Sequence, residues 1–201
     1  MMYPFFLIFF IFCLYVKLSL SKSSHNAEKN KTNLLELERE ANSTRRKSID
    51  KLDYIIFSEK SIPINEINDN ELKKIQEKLL NFADKKILNL SGISNIELKK
   101  TYGPANLPTL TEYDNNFLEL VKTLHEYAVA LNNLNYQDDA IKVLEYSVDI
   151  ETDMGSSYKL LGDLYYSKND ISSIKNLLEK TDKVNNLSRN SVISYLQVYT
   201  D

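Results

Sequence analysis

The stretch YKLLGDLY at residues 158–165 has counterparts at two other places in the chain. Thirty-four residues earlier, residues 124–131 read LHEYAVAL, and thirty-four residues later, residues 192–199 read VISYLQVY. Large apolar residues occupy the first, fourth and last positions of each stretch. Apolar residues at this spacing share one face of a helix, and a fixed 34-residue period is typical of stacked helical repeats.

A second helix is predicted after each of the first two stretches. In the first unit, Asp138 or Asp139 is a start signal, and the small-large-small positions that follow are Ala140, Leu144 and Ser147. The second unit matches more loosely, with Ile174, Leu178 and Thr181 at these positions. Residues typical of turns separate the helices, at 135–136 and 168–170. The pattern predicts two helix–turn–helix units within 113–201, at about 121–154 and 155–188, and a capping helix at 189–200.

Residues 117–200 resemble the tetratricopeptide repeat family. The resemblance implies an all-α fold, a short α-solenoid in which neighbouring units stack, and a role in protein–protein interaction. It brings no catalytic residues. The positions that it assigns to packing between helices are Leu124, Tyr127, Ala128, Leu131, Ala140, Leu144, Tyr158, Leu161, Gly162, Tyr165, Leu178, Tyr195, Leu196 and Tyr199. The whole layout also resembles membrane-anchored repeat proteins of low-G+C Gram-positive bacteria, on the stretches 41–47, 52–55, 87–95 and 102–114.

The resemblance also implies a concave groove, lined by the first helix of each unit. The corresponding residues here are Lys122, His125, Val129, Asn132, Asn133, Ser156, Lys159, Asp163, Tyr166, Asn190, Ile193 and Gln197. Among them, Lys122, His125 and Lys159 could receive a carboxylate of a peptide partner, although they do not reproduce the family's carboxylate-binding pattern. The alternative is an ordinary solvated face.

The N-terminus carries a second signal, because residues 1–16 contain no charge. As a helix, residues 1–20 would reach about 30 Å, the thickness of a hydrocarbon core, if Lys17 extends to the interface. Nine Lys or Arg residues follow between positions 17 and 51. This bias predicts an uncleaved single-pass anchor at 1–20 with the C-terminal domain in the cytoplasm. The alternative is a cleaved signal peptide and an exported soluble or surface domain that begins near Lys22.

The segments between the anchor and the repeats are predicted from local patterns. Residues 21–66 are interpreted as a polar spacer at 21–33, an amphipathic helix at 34–47 and an extended segment at 52–57 that docks on the helical domain. Residues 67–112 are expected to hold a helix from Asn68 or Asp69 to about Leu88, a short helix near 95–102 and an ordered loop. Ser94 and Glu97 form a capping-box pattern for the short helix, and Gly103 follows it.

Composition excludes several classes of function. One Cys and two His cannot build a Cys/His zinc site, and four Gly leave no room for a phosphate-binding loop. Residues 1–100 carry 17 Lys+Arg against 13 Asp+Glu, a charge of +4, whereas residues 101–201 carry 8 against 15, a charge of −7. The acidic half disfavours nucleic-acid binding. We therefore predict a protein without catalysis, cofactor, metal or small-molecule substrate, whose partners are an unidentified protein or peptide and, through residues 1–20, the membrane.

Overall fold

The computed structural model describes residues 4–64, 69–184 and 186–200. These residues are helical apart from turns and extended segments, with one isolated antiparallel bridge between Ile55 and Ile87. The prediction of an all-α chain is confirmed at this level. Two compact units are formed, one by the chain up to Ile49 together with Ile93–Leu107, the other by Asp50–Gly92 together with the chain from Pro108 onward.

The first unit contains a long helix, α1, over Pro4–Asn42. The segment predicted to be a polar spacer, 21–33, is helical, because α1 runs through it. After Pro4 this stretch contains neither Gly nor Pro, so nothing in it interrupts the backbone hydrogen bonds. The amphipathic helix predicted to reach Lys47 ends at Asn42 instead.

The anchor predicted at residues 1–20 finds no support in the structure. Among the residues whose placement is described, none of the helices has both the length and the hydropathy of a membrane span. Residues 1–3 of that segment lie outside the described residues.

Helix α3, Asn95–Tyr102, completes the first unit. The backbone N–H of Ser94 donates to Glu97 Oε2 at 2.8 Å, and the N–H of Glu97 donates to Ser94 Oγ at 3.3 Å, so the predicted capping box is confirmed. The helix ends at Gly103, whose φ is +86°. A Cβ atom there would lie 2.8 Å from the Cα of Arg46, so both the backbone angle and the close approach require glycine.

The second unit begins with the extended segment, which docks as predicted. The N–H of Ile55 donates to the carbonyl of Ile87 at 3.0 Å, and Phe57 is buried. Helix α2, Asn70–Leu80, is capped at its N-terminus by Asp69, whose Oδ1 accepts from the N–H of Leu72 at 2.7 Å. The alternative start, Asn68, lies outside the described residues.

Helix α2 ends well before the predicted Leu88 because the next residues bond elsewhere. Ile87 pairs with Ile55, and the N–H of Leu88 donates to the carbonyl of Tyr113 at 3.2 Å. The N–H of Leu90 donates to Asp114 Oδ1 at 3.0 Å. These partners are distant in sequence, so they are invisible to a search for local periodicity.

The repeat region consists of five helices over the described residues, and the first of them is longer than predicted. Helix α4 spans Leu107–Asn133 and so includes the end of the segment expected to be a loop. The others are α5, Gln137–Asp149, α6, Gly155–Ser167, α7, Ile171–Glu179, and α8, Asn186–Gln197. The predicted capping helix at 189–200 therefore exists, shifted by three residues.

The two predicted turns have the same geometry. Asn135 and Asn169 adopt φ values of +65° and +58°. After each, the next N–H reaches back five residues, from Tyr136 to the Leu131 carbonyl at 2.9 Å and from Asp170 to the Tyr165 carbonyl at 3.0 Å. This is the Schellman pattern, in which a left-handed residue ends a helix and satisfies its last carbonyls.

Most of the residues assigned to packing between helices are buried. The structure buries Leu124, Tyr127, Ala128, Leu131, Ala140, Leu144, Tyr158, Leu161, Gly162, Tyr165 and Leu196, whereas Leu178 and Tyr199 are half-buried. Tyr195 does not have the buried position that was predicted for it, since 37% of its surface is exposed. Leu196 takes the inward position on α8, so the neighbouring Tyr195 lies at the edge of the helix contact and places its ring against Tyr199.

Helix α8 packs closely on α6 because two glycines of α6 leave room for it. A methyl group on Gly162 would collide with Leu196 Cδ2, and one on Gly155 would lie 2.9 Å from Val192 Cγ2. Both apolar side chains are fully buried. Helix α8 is therefore fitted to the two glycines of α6.

Gly162→Leu is expected to lower the free energy of unfolding by about 1–3 kcal/mol, because the added side chain overfills this contact. Urea denaturation followed by circular dichroism measures the change. Leu196→Ala is the partner variant and should cost about 2–5 kcal/mol by itself. Since the two side chains compete for one space, the double variant should lose less stability than the sum of the single variants. Additive losses would contradict the assigned contact.

Candidate protein-binding face

The residues predicted to line the groove share one face of each of three helices, α4, α6 and α8. We call this surface the A face. The structure leaves Lys122, Val129, Asn133, Ser156, Tyr166, Asn190 and Gln197 exposed, and leaves His125, Asn132, Lys159, Asp163 and Ile193 half-buried. Polar contacts join successive helices along this face, His125 Nδ1 to Ser157 Oγ at 3.2 Å and Lys159 Nζ to Ser191 Oγ at 3.0 Å.

Between α6 and α8, the A face is occupied by its own side chains. The rings of Tyr166 and Tyr199 stack with centroids 4.4 Å apart, and the Tyr199 hydroxyl donates to Asp163 Oδ1 at 2.8 Å. Lys159 Nζ lies 5.2 Å from the centroid of the Tyr195 ring, within the range of a cation–π contact. Two of the predicted binding residues, Lys159 and Asp163, thus hold α8 in place.

The electrostatics of this cluster favour a neutral phenol at Tyr199. The hydrogen bond with Tyr195, burial and the hydrogen bond to Asp163 each raise the pKa of Tyr199 above its usual value of 10. Ionisation would place a negative phenolate against the Asp163 carboxylate. The contact is therefore stable only while Tyr199 keeps its proton.

Between α2 and α4, the A face opens into a cleft of about 550 Å³. We call it the α2–α4 cleft. Three predicted residues line it, His125, Val129 and Asn133, together with the residue that follows each of them in the chain. The remaining lining comes from α2 and from its N-cap residue. The residues beyond the predicted set are Asp69, Glu71, Ile75, Glu126, Ala130 and Leu134.

The contribution of α2 was missed by the sequence analysis. The spacing of its apolar residues predicts a helix, but no local pattern indicates which other helix it packs against. Two hydrogen bonds make that connection, from Gln76 Nε2 to the Tyr127 hydroxyl at 2.9 Å and from that hydroxyl to the Pro63 carbonyl at 2.9 Å. Tyr127 is fully buried and therefore ties α2 and the preceding segment to the middle of α4.

The groups expected to receive a carboxylate are engaged in other ways. Lys122 Nζ lies 3.9 Å from Glu126 Oε1. Burial lowers the pKa of His125 below its usual value, although the nearby Glu126 carboxylate partly opposes this, so the neutral imidazole is favoured. Lys159 contacts Ser191 and Tyr195. The geometry gives no support to a carboxylate-binding cluster of these three side chains.

Another cleft, of about 520 Å³, lies where α5, α6 and α7 meet. Its polar rim is internally paired, since Lys180 Nζ lies 2.8 Å from Asp149 Oδ1 and the Tyr165 hydroxyl donates to Glu145 Oε1 at 2.7 Å. No cluster of His, Cys, Asp and Glu suited to a metal ion occurs among the described residues.

Comparisons of the chain with protein-family models, with curated proteins and with solved structures found no match. The assignment of function therefore depends on the residues of the A face themselves.

Tyr199→Phe removes the hydroxyl that donates to Asp163 and keeps the ring on Tyr166. We expect the free energy of unfolding at neutral pH to fall by about 0.5–1.5 kcal/mol. Because the pKa of Tyr199 is raised in the folded state, its contribution is present below pH 10 and is lost as the pH rises above that value. The loss of stability above pH 10 should therefore be smaller in the variant than in the wild type.

Urea denaturation at a series of pH values measures both effects. Tyr136→Phe is the matched control, because Tyr136 is exposed and outside this cluster. An equal alkaline loss in Tyr199→Phe and the wild type would contradict the role given to the hydroxyl.

Proposed function

We propose that this protein is a non-catalytic scaffold of the tetratricopeptide repeat kind, which binds a segment of a partner protein along the A face. The α2–α4 cleft carries the proposal. It is a preformed concavity of about 550 Å³, a size that accommodates one or two side chains of a bound segment. Its lining includes Val129, an apolar side chain that remains 37% exposed in the middle of the predicted groove.

The rigidity of the surroundings supports this use of the cleft. The wall on the α4 side is backed by Leu124, Tyr127, Ala128 and Leu131, which are all fully buried. A recognition surface on packed helices binds with little loss of conformational entropy, because its backbone is already ordered. Helical-repeat proteins use such surfaces for extended partners.

We also propose, from the sequence, that residues 1–20 anchor the protein in the membrane and that the repeat domain faces the cytoplasm. The uncharged run and the basic residues behind it support this arrangement. The alternative is an exported soluble or surface domain released by signal-peptide cleavage.

Site-specific photo-crosslinking tests the binding face. With a benzoylphenylalanine at position 129 of the full chain, irradiation of cells that express it should give discrete protein adducts. The same residue in place of Lys175, which is exposed on α7, should give only background. The expected difference follows from the position of Val129 in the cleft. Equal adducts from both positions would contradict the proposal.

Mass spectrometry of the mature N-terminus tests the anchor. We expect peptides from residues 1–20 to be retained in the membrane fraction, because an uncleaved anchor stays attached to the domain. A mature chain that starts at or near Lys22 would contradict the anchor and favour the exported form.

A further inference from the structure

The charged side chains that the structure describes in the lining of the α2–α4 cleft are acidic. Asp69 and Glu71 come from the start of α2, and Glu126 comes from α4. Among the described residues that line it, none is Lys or Arg. His125 is the remaining titratable side chain of the lining, and its lowered pKa favours the neutral form.

Apart from the amide of Asn133, the rest of the lining is apolar. Ile75 lies on α2, Val129 and Ala130 lie on α4, and Leu134 comes directly after α4. Ile75, Ala130 and Leu134 are partly buried against the core, and Val129 is the most exposed of the four. The cleft thus combines aliphatic side chains with carboxylates.

Of these three carboxylates, Glu126 has an observed cationic neighbour, and that pair is weak. Lys122 Nζ lies 3.9 Å from Glu126 Oε1, and the two side chains are 65% and 42% exposed. A pair at this distance in solvent contributes little and is readily exchanged for another partner. Glu126 is therefore available to a cation supplied by a bound segment.

We infer that the α2–α4 cleft binds a segment of a partner protein in which a Lys or Arg lies beside an aliphatic or aromatic side chain. This inference rests on the proposed function and specifies the chemistry of the partner. The apolar side chain would pack against Val129, and the cation would lie among Asp69, Glu71 and Glu126. Charge complementarity of this kind accelerates association and selects among partners.

The acidic lining of the cleft is the opposite of the charge expected from the sequence. The resemblance to the repeat family pointed to Lys122, His125 and Lys159 as receivers of a carboxylate. In the structure His125 and Lys159 contact other residues of the protein, and Lys122 lies beside an acidic side chain, whereas the open part of the A face presents carboxylates. The acidic charge of the C-terminal half is consistent with a cationic partner.

The test selects binders without assuming their sequence. Phage that display random twelve-residue peptides are selected on the full-length protein in a non-ionic detergent, and the enriched peptides are synthesised. Their dissociation constants are measured by fluorescence anisotropy. We expect enrichment of Lys or Arg next to Leu, Ile, Met or Phe, and binding that weakens as salt is added.

The cleft variant is Glu71→Gln with Glu126→Gln, which removes two charges with almost no change in shape. It should weaken binding by about three- to tenfold, as expected for the loss of two solvent-exposed charge pairs. The matched control is Glu77→Gln with Glu112→Gln. It also takes one exposed Glu from α2 and one from α4, but neither lines the cleft, so binding should equal that of the wild type.

The other outcomes separate this inference from the proposed function. Enriched peptides that are acidic or uncharged, whose binding depends on Val129 but not on Glu71 and Glu126, would overturn the inference and leave the proposed function standing. Self-association of the wild type that the cleft variant abolishes would assign the cleft to a second copy of the chain and would also overturn it. A library that yields no peptide dependent on Val129 would contradict the proposed function itself.

Discussion

The close approach of α8 to α6 depends on the absence of a side chain at Gly162. Leu196 occupies the space that a side chain at position 162 would fill, and Val192 occupies the space that a side chain at position 155 would fill. Helix α6 is consequently covered by α5, α7 and α8, and its packing residues Tyr158 and Leu161 are buried. The side chains that α6 presents on the A face keep their positions only while this packing is maintained.

The same packing divides the A face into two parts with different character. Where α8 lies against α6, the polar and aromatic side chains satisfy one another, as Tyr199 does with Asp163 and Tyr166. Where α4 meets α2, carboxylates and apolar side chains remain open to solvent around a concavity. Side chains that already contact one another have few free groups with which to bind a partner. Recognition is therefore expected at the α2–α4 cleft.

The sequence predicted what depends on short-range periodicity and failed where distant partners decide. The 34-residue spacing located the helices and turns of both units, because the same positions must face the core in each. It could not indicate that α1 runs on through residues 21–33, where a polar stretch simply lacks a helix breaker. Nor could it place the end of α2, which is fixed by the pairing of Ile87 with Ile55. The acidic part of the α2–α4 cleft was missed for the same reason, since Glu71 and Glu126 are far apart in the chain.

The turns at Asn135 and Asn169 have a consequence for how such a chain can change over evolutionary time. Each ends its helix with a left-handed residue and hydrogen bonds that reach back no more than five residues. The end of the first helix in each unit is therefore determined by residues of that unit alone. Recombination between two copies could add or delete an entire 34-residue unit while every remaining turn stays intact. The number of units, and with it the length of surface offered to partners, can vary without redesign of the repeat.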